Sequence, residues 1–94
     1  MIRYEWDEAK NQVNFRKHGL WFEQVLLVVD DPHGRIFFDS DHSEGEERFV
    51  LLGSDTAGRI LIVVHHYRDS EDVIRIISAW KATKKEKRTY EKRV

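Results

Sequence analysis

Residues 48–81, RFVLLGSDTAGRILIVVHHYRDSEDVIRIISAWK, decide the fold. Three apolar, β-branched runs, 48–53, 60–67 and 73–81, are separated by the turn-forming stretches SDTAG and RDSED, the punctuation of consecutive strands. Turns this short join antiparallel neighbours, so the stretch reads as a meander. The unbroken ILIVV at 60–64 marks a central strand covered on both faces. Strict alternation along 73–81 puts Val73, Arg75, Ile77, Ala79 and Lys81 on one face and Ile74, Ile76, Ser78 and Trp80 on the other. Arg75 and Lys81 are therefore expected as same-face cations.

Working outward, residues 35–39 read as a further strand, followed by the polar loop SDHSEGEE at 40–47. Residues 2–6 alternate as a short first strand, with Ile2, Tyr4 and Trp6 on one face. Asp7 is placed to cap a helix over 8–18, and Gly19 to stop it in the left-handed conformation. A second helix is expected from Phe22 to Asp30, ending at Asp31-Pro32, with a stripe of Phe22, Val25, Leu26 and Val29; a strand over VLLVV competes with it. Trp21 stands where that helix wants a capping residue, a loss of about 1 kcal/mol. Downstream, Thr83-x-x-Glu86 is a capping box opening a last helix. Only Tyr90 and Val94 share an apolar face there, so this helix docks lightly or waits for a partner. The order is β-α-α-β-β-β-β-α: an α+β domain with two N-terminal helices packed on a curved antiparallel sheet and a basic C-terminal helix.

Ninety-four residues make one domain, 1–94, and an apolar content of 40% with eleven aromatics supports a packed core. With no cysteine there is no disulfide framework and no thiolate chemistry. The N-terminus carries acids where a signal peptide needs an apolar run, and no stretch is apolar enough to span a bilayer, so a cytoplasmic, membrane-free protein is expected. The net charge of −1 hides a dipole. Residues 81–94 hold seven Lys/Arg against two Glu, while the rest of the chain holds nine against fifteen Asp/Glu. The basic end implies an anionic partner. The acidic body argues against a plain nucleic-acid-binding domain, which is expected to be basic overall.

Candidate chemistry follows from the same residues. Glu46-Glu47-Arg48 enters a strand of the sheet that carries Arg75. A carboxylate beside cations can act as general base towards a hydroxyl while arginines stabilise developing negative charge. RNA suits such a site without metal, because its 2′-hydroxyl is a built-in nucleophile. Arg75 reads equally as half of an ion pair with Glu46, Glu47 or Asp72. His18 and Lys17 read either as an acid/base pair or as positive charge favoured at a helix C-terminus. His65 and His66 point to opposite faces, and Asp39, Asp41 and His42 lack a second pair at ligand spacing, so no metal or other cofactor is expected.

Four segments in order, YEWDEAKNQVNFRKHGLWFEQV, the Asp31-Pro32 step, DHSEGEERFVLLG and VIRIISAWKATKKEKRTYE, resemble the BrnT family of type II toxins. The resemblance implies a RelE-like ribonuclease toxin that cleaves RNA without metal, inhibits translation, and is neutralised by a BrnA-like antitoxin with a ribbon-helix-helix module. The pair is expected to form a hetero-oligomer that touches promoter DNA only through the antitoxin. By position it places family motifs on Glu46, Glu47 and Arg48, on Arg75, on Lys81 and on Lys17, His18 and Gly19. Glu47, Arg48, Arg75 and Lys81 are then expected as catalytic residues, and Lys17 and His18 as binding RNA. The base-stacking indole of Trp80 and the charge of Lys84, Lys85 and Arg88 on the basic helix are expected to bind RNA as well. The sequence departs from the family at Trp80, where an arginine is usual, and at Trp21. Trp80 either stacks a base or marks a weak or inactive homologue that serves as an antitoxin-binding, autoregulatory module.

Overall fold

A computed structural model of the chain describes residues 2–40, 45, 47–68 and 72–92. Glu46, Asp41 and His42, turn residues 69–71, and Val94, all named above, lie outside the described residues. The elements are β1 (Arg3–Glu5), α1 (Glu8–His18), α2 (Phe22–Val25), β2 (Arg35–Phe38), β3 (Phe49–Ser54), β4 (Ile60–Arg68), β5 (Val73–Lys81) and α3 (Lys84–Glu91). The expected order holds. The strands form one sheet in the order β1-β5-β4-β3-β2. Four strands are antiparallel neighbours, as the meander requires. The expectation of a wholly antiparallel sheet needs one correction: β1 joins the edge of β5 in parallel, with Glu5 opposite Arg75. A period-2 pattern identifies a strand but carries no information about its partner.

Strand β4 is central and buried from Leu61 to His66. One face packs on Leu20, Phe22, Val25 and Val28 from the segment around α2. The other meets Leu52, Ala82 and Tyr90, with Trp80 against them. The helix expected over 22–30 is shorter, because after Val25 the amides of Leu27, Val28 and Asp31 donate three residues back, to Gln24, Val25 and Val28. Three residues per turn rotates the buried stripe to Phe22, Val25 and Val28. Leu26, expected inside, is exposed. The strand reading of VLLVV is excluded.

Helix α1 begins and ends as expected, with Asp7 accepting from the amides of Ala9 and Lys10 and Gly19 at φ 71°. Its buried residues are polar: Asn11 and Asn14. Asn11 Oδ1 accepts from the Phe22 amide at 2.7 Å, which supplies the cap that Trp21 cannot. Trp21 stacks on Phe15 at 4.2 Å between ring centroids. Asn14 accepts from the Ala79 amide and donates to the Ala79 and Leu20 carbonyls, at 2.9 to 3.0 Å.

Helix α3 does not wait for a partner to dock. Tyr90 is buried, and its hydroxyl donates to Asp31 at 2.6 Å. Arg35 donates to the carbonyls of Thr89 and Lys92 at the helix end. The capping box of Thr83 and Glu86 is formed.

Candidate nucleic-acid interface

Strand β1 pairs with β5 only over Val73–Arg75, so the outer edge of β5 from Ile76 onward is open to α1. The C-terminal end of α1 therefore meets the end of β5, beside the start of α3. Lys17, His18, Trp80 and Lys81 line one open cleft at this corner. The His18 and Trp80 rings lie 5.9 Å apart. The His18 side chain is exposed and its ring makes no hydrogen bond among the described residues, unlike a histidine tied to helix carbonyls. Lys84, Lys85 and Arg88 are exposed on α3, three to seven residues beyond Lys81; Lys85 and Arg88 line a further shallow surface with Thr89 and Lys92.

The residues expected to be catalytic do not converge. His65 pairs with Ile76 and Val64 with Ser78, so Ile77 is bulged out of register. The bulge resets the alternation. Arg75 lies opposite His66 on the face that carries Ile62 and Trp80, while Lys81 lies opposite Leu61 on the face packed by α2. Arg75 and Lys81 are thus on opposite faces, and the same-face expectation is overturned. Arg75 also stands five residues from Trp80, roughly 16 Å along the strand.

Arg75 is instead part of an ion-pair group. Its Nη1 donates to Glu5 Oε1 at 3.2 Å, and Arg68 donates to the same oxygen. Desolvation pushes the Glu5 carboxyl up, but the hydrogen bonds and charge of Arg75 and Arg68 outweigh it and leave it below its ordinary value. The acid partner is one that the sequence offered no reason to choose, because only the parallel register of β1 brings it there. Arg48 precedes Phe49, whose partner is His65, so the same register carried one residue further sets Arg48 across from His66. Glu47 is exposed at this strand entry. Among the described residues no three His, Asp or Glu side chains gather as metal ligands, and no helix is long and apolar enough to cross a membrane.

Two residues beside the corner escaped the sequence reading. Lys10 and Ser78 line a second cleft with Val13, Asn14, Lys17 and Ile77. The signal was present: Lys10, Val13, Asn14 and Lys17 stand at i, i+3, i+4 and i+7, one helix face.

The fold and its clefts define a small α+β domain with one cationic edge. Residues 6–86 match the family model described as the ribonuclease toxin BrnT of type II toxin–antitoxin systems, and the chain belongs to that family. It is similar to the crystal structure of the Brucella abortus ribonuclease toxin BrnT, with 26% identity and a TM-score of 0.63 over 89% of this chain and 100% of that one. No curated protein sequence matches it significantly.

Proposed function

We propose that the protein is a metal-independent endoribonuclease acting in the cytoplasm at the corner of α1, β5 and α3. The observation that carries this is the convergence of Lys17, His18, Trp80 and Lys81 on one open cleft. The 2′-hydroxyl attacks the adjacent phosphorus and the bond to the 5′-oxygen breaks, leaving a 2′,3′-cyclic phosphate and a 5′-hydroxyl. His18 carries a proton to or from the reacting oxygens, and the ammonium groups of Lys17 and Lys81 stabilise the charge gathering on the phosphoryl oxygens. Lys84, Lys85 and Arg88 hold the flanking backbone. Glu47, Arg48 and Arg75 form a separate charged strip beside the path of the RNA. Cleavage blocks translation, and a BrnA-like ribbon-helix-helix antitoxin opposes it, linking the complex to promoter DNA. Support for a protein partner comes from β2, an edge strand whose Ile36, Phe37 and Phe38 are all exposed, a surface that invites pairing. The test is cleavage of RNA by purified protein in EDTA. Wild type is expected to give cyclic-phosphate ends, and His18→Gln and Lys17→Ala to lose them by more than tenfold. Cleavage abolished by chelator overturns the metal-free chemistry.

A second reading, a weak or inactive homologue that chiefly holds an antitoxin, is favoured by Trp80. Its indole packs against the Leu52, Ile62 and Tyr90 cluster and so has a structural use. A harmless wild type and a toxic Trp80→Arg variant on induced expression would establish this second reading.

A further inference from the structure

Helix α1 sets an unusual stripe along the open edge of β5, with Asn14 buried and Lys10, Val13 and Lys17 exposed. Lys10, Val13, Asn14 and Lys17 occupy the spacing that normally carries a core-facing apolar row, yet two of the four are lysines. They face a cleft because β1 stops at Glu5 and leaves the β5 edge uncovered. Asn14 bonds to that edge at Ala79, so an amide side chain spans the gap between helix and strand. The cleft is about 290 Å³ and shares Lys17 and His18 with the corner site, so the two are continuous. Its lining combines the Lys10 ammonium with apolar Val13 and Ile77 and with Ser78. Lys10 has no ion pair among the described residues. The nearby carboxylate of Glu8 is engaged by Trp6 and Asn11.

We propose that this cleft is a further subsite for single-stranded RNA, holding the nucleotide next to the one cleaved. Lys10 binds its phosphate, and Val13 and Ile77 pack against its base. Lys10 and Lys17 are seven residues apart, roughly 10.5 Å along the helix axis, so their ammonium groups serve different phosphates. An apolar contact to a base needs that base unstacked, which selects single strands over duplex. The inference rests on RNA being the substrate, and it makes α1 the ruler that sets the path of the chain through the site.

The test is binding of a fluorescent single-stranded oligonucleotide, blocked from cleavage by one 2′-deoxy position, over a series of salt concentrations, together with cleavage of the unblocked oligonucleotide. Lys10→Ala is expected to weaken binding and to lower the slope of log K against log salt by about 0.7, one single-strand phosphate contact. Lys10→Arg is expected to restore both. An unchanged slope in Lys10→Ala, with wild type cleaving RNA, overturns the subsite and leaves the ribonuclease reading standing. A wild type that neither binds nor cleaves overturns both. A Lys10→Ala protein that loses affinity for the antitoxin, with its RNA slope intact, assigns the cleft to a protein partner and overturns the proposal.

Discussion

At Asn14 a side-chain amide does the work of a missing strand. The N–H and C=O of Ala79 face outward from β5 at a level that β1 does not reach, and Asn14 satisfies both while donating to Leu20 as well. Truncation leaves buried backbone groups unpaired, at 1–3 kcal/mol each by mutational experience. Asn14→Ala is therefore expected to lose on the order of 3 kcal/mol in urea unfolding. An exposed change on the same helix, Gln12→Ala, should stay within about 0.5 kcal/mol. His65 makes a second residue-level case. Burial pushes its pKa below the ordinary histidine value, and nearby His66 adds to the shift. The ring packs at 5.2 Å from Tyr67 and lines a cavity with Ile2, Tyr4, Ile36 and Ile74. With the folded pKa depressed, the unfolded chain binds the extra proton first as pH falls. This contribution to stability is complete above the unfolded value near 6.5 and is lost as pH falls through the folded one. The wild-type urea midpoint is expected to drop between pH 7.5 and 5.5, and His65→Phe to flatten that drop.

Among the elements, what the chain declared locally was legible and what it settled at a distance was not. Asp7, Gly19 and the Thr83–Glu86 box fix helix ends within a few residues, so α1 and α3 have their expected starts. The meander is likewise local, since each turn forces the next strand back beside the last. Three features needed tertiary contacts. Nothing in IRYEW says that it will lie parallel to β5, nothing in VLLVV announces bonds three residues back, and the bulge at Ile77 appears only when β5 is set against β4. That single bulge separated Arg75 from Lys81 and with them the expected catalytic group. Lys17 and His18 were singled out by the family resemblance and Trp80 as a departure from it, but their meeting in one cleft needed the structure, whereas Lys10 was visible in the helix stripe and went unread. Asp31 shows an element held by one side chain. It accepts from the Ser54 amide at 2.8 Å as well as from Tyr90, tying the turn after α2 to β3 and α3. Burial pushes its carboxyl up, but the hydrogen bonds from Tyr90, Ser54 and His33 outweigh it and hold it below its ordinary value. The tie is complete above the unfolded pKa and is lost as pH falls through the folded one. Tyr90→Phe is expected to cost about 1 kcal/mol and Asp31→Ala about 2 kcal/mol, with the difference between variants and wild type shrinking in urea titrations carried into acid.

Across the whole molecule, charge and packing meet in α3. The last fourteen residues carry a net +5 against an otherwise acidic chain, so this end draws polyanions while the body repels them. The same helix supplies Tyr90 to the second core cluster, where Leu52, Ile62 and Trp80 gather under it. Its exposed face and its buried face therefore make separable predictions. Replacing Lys84, Lys85 and Arg88 together by Ala touches no buried group, so the unfolding midpoint is expected to hold. The slope of RNA affinity against salt should fall by about 2, three single-strand contacts at about 0.7 each. Ending the chain at Thr83 removes Tyr90 and uncovers that cluster, and the expected loss is several kcal/mol, in line with about 4 for deleting a large buried aromatic. If the triple substitution instead unfolds the protein, the basic face is structural. If it leaves the salt slope unchanged, α3 does not touch RNA, and its charge is then available to the antitoxin alone.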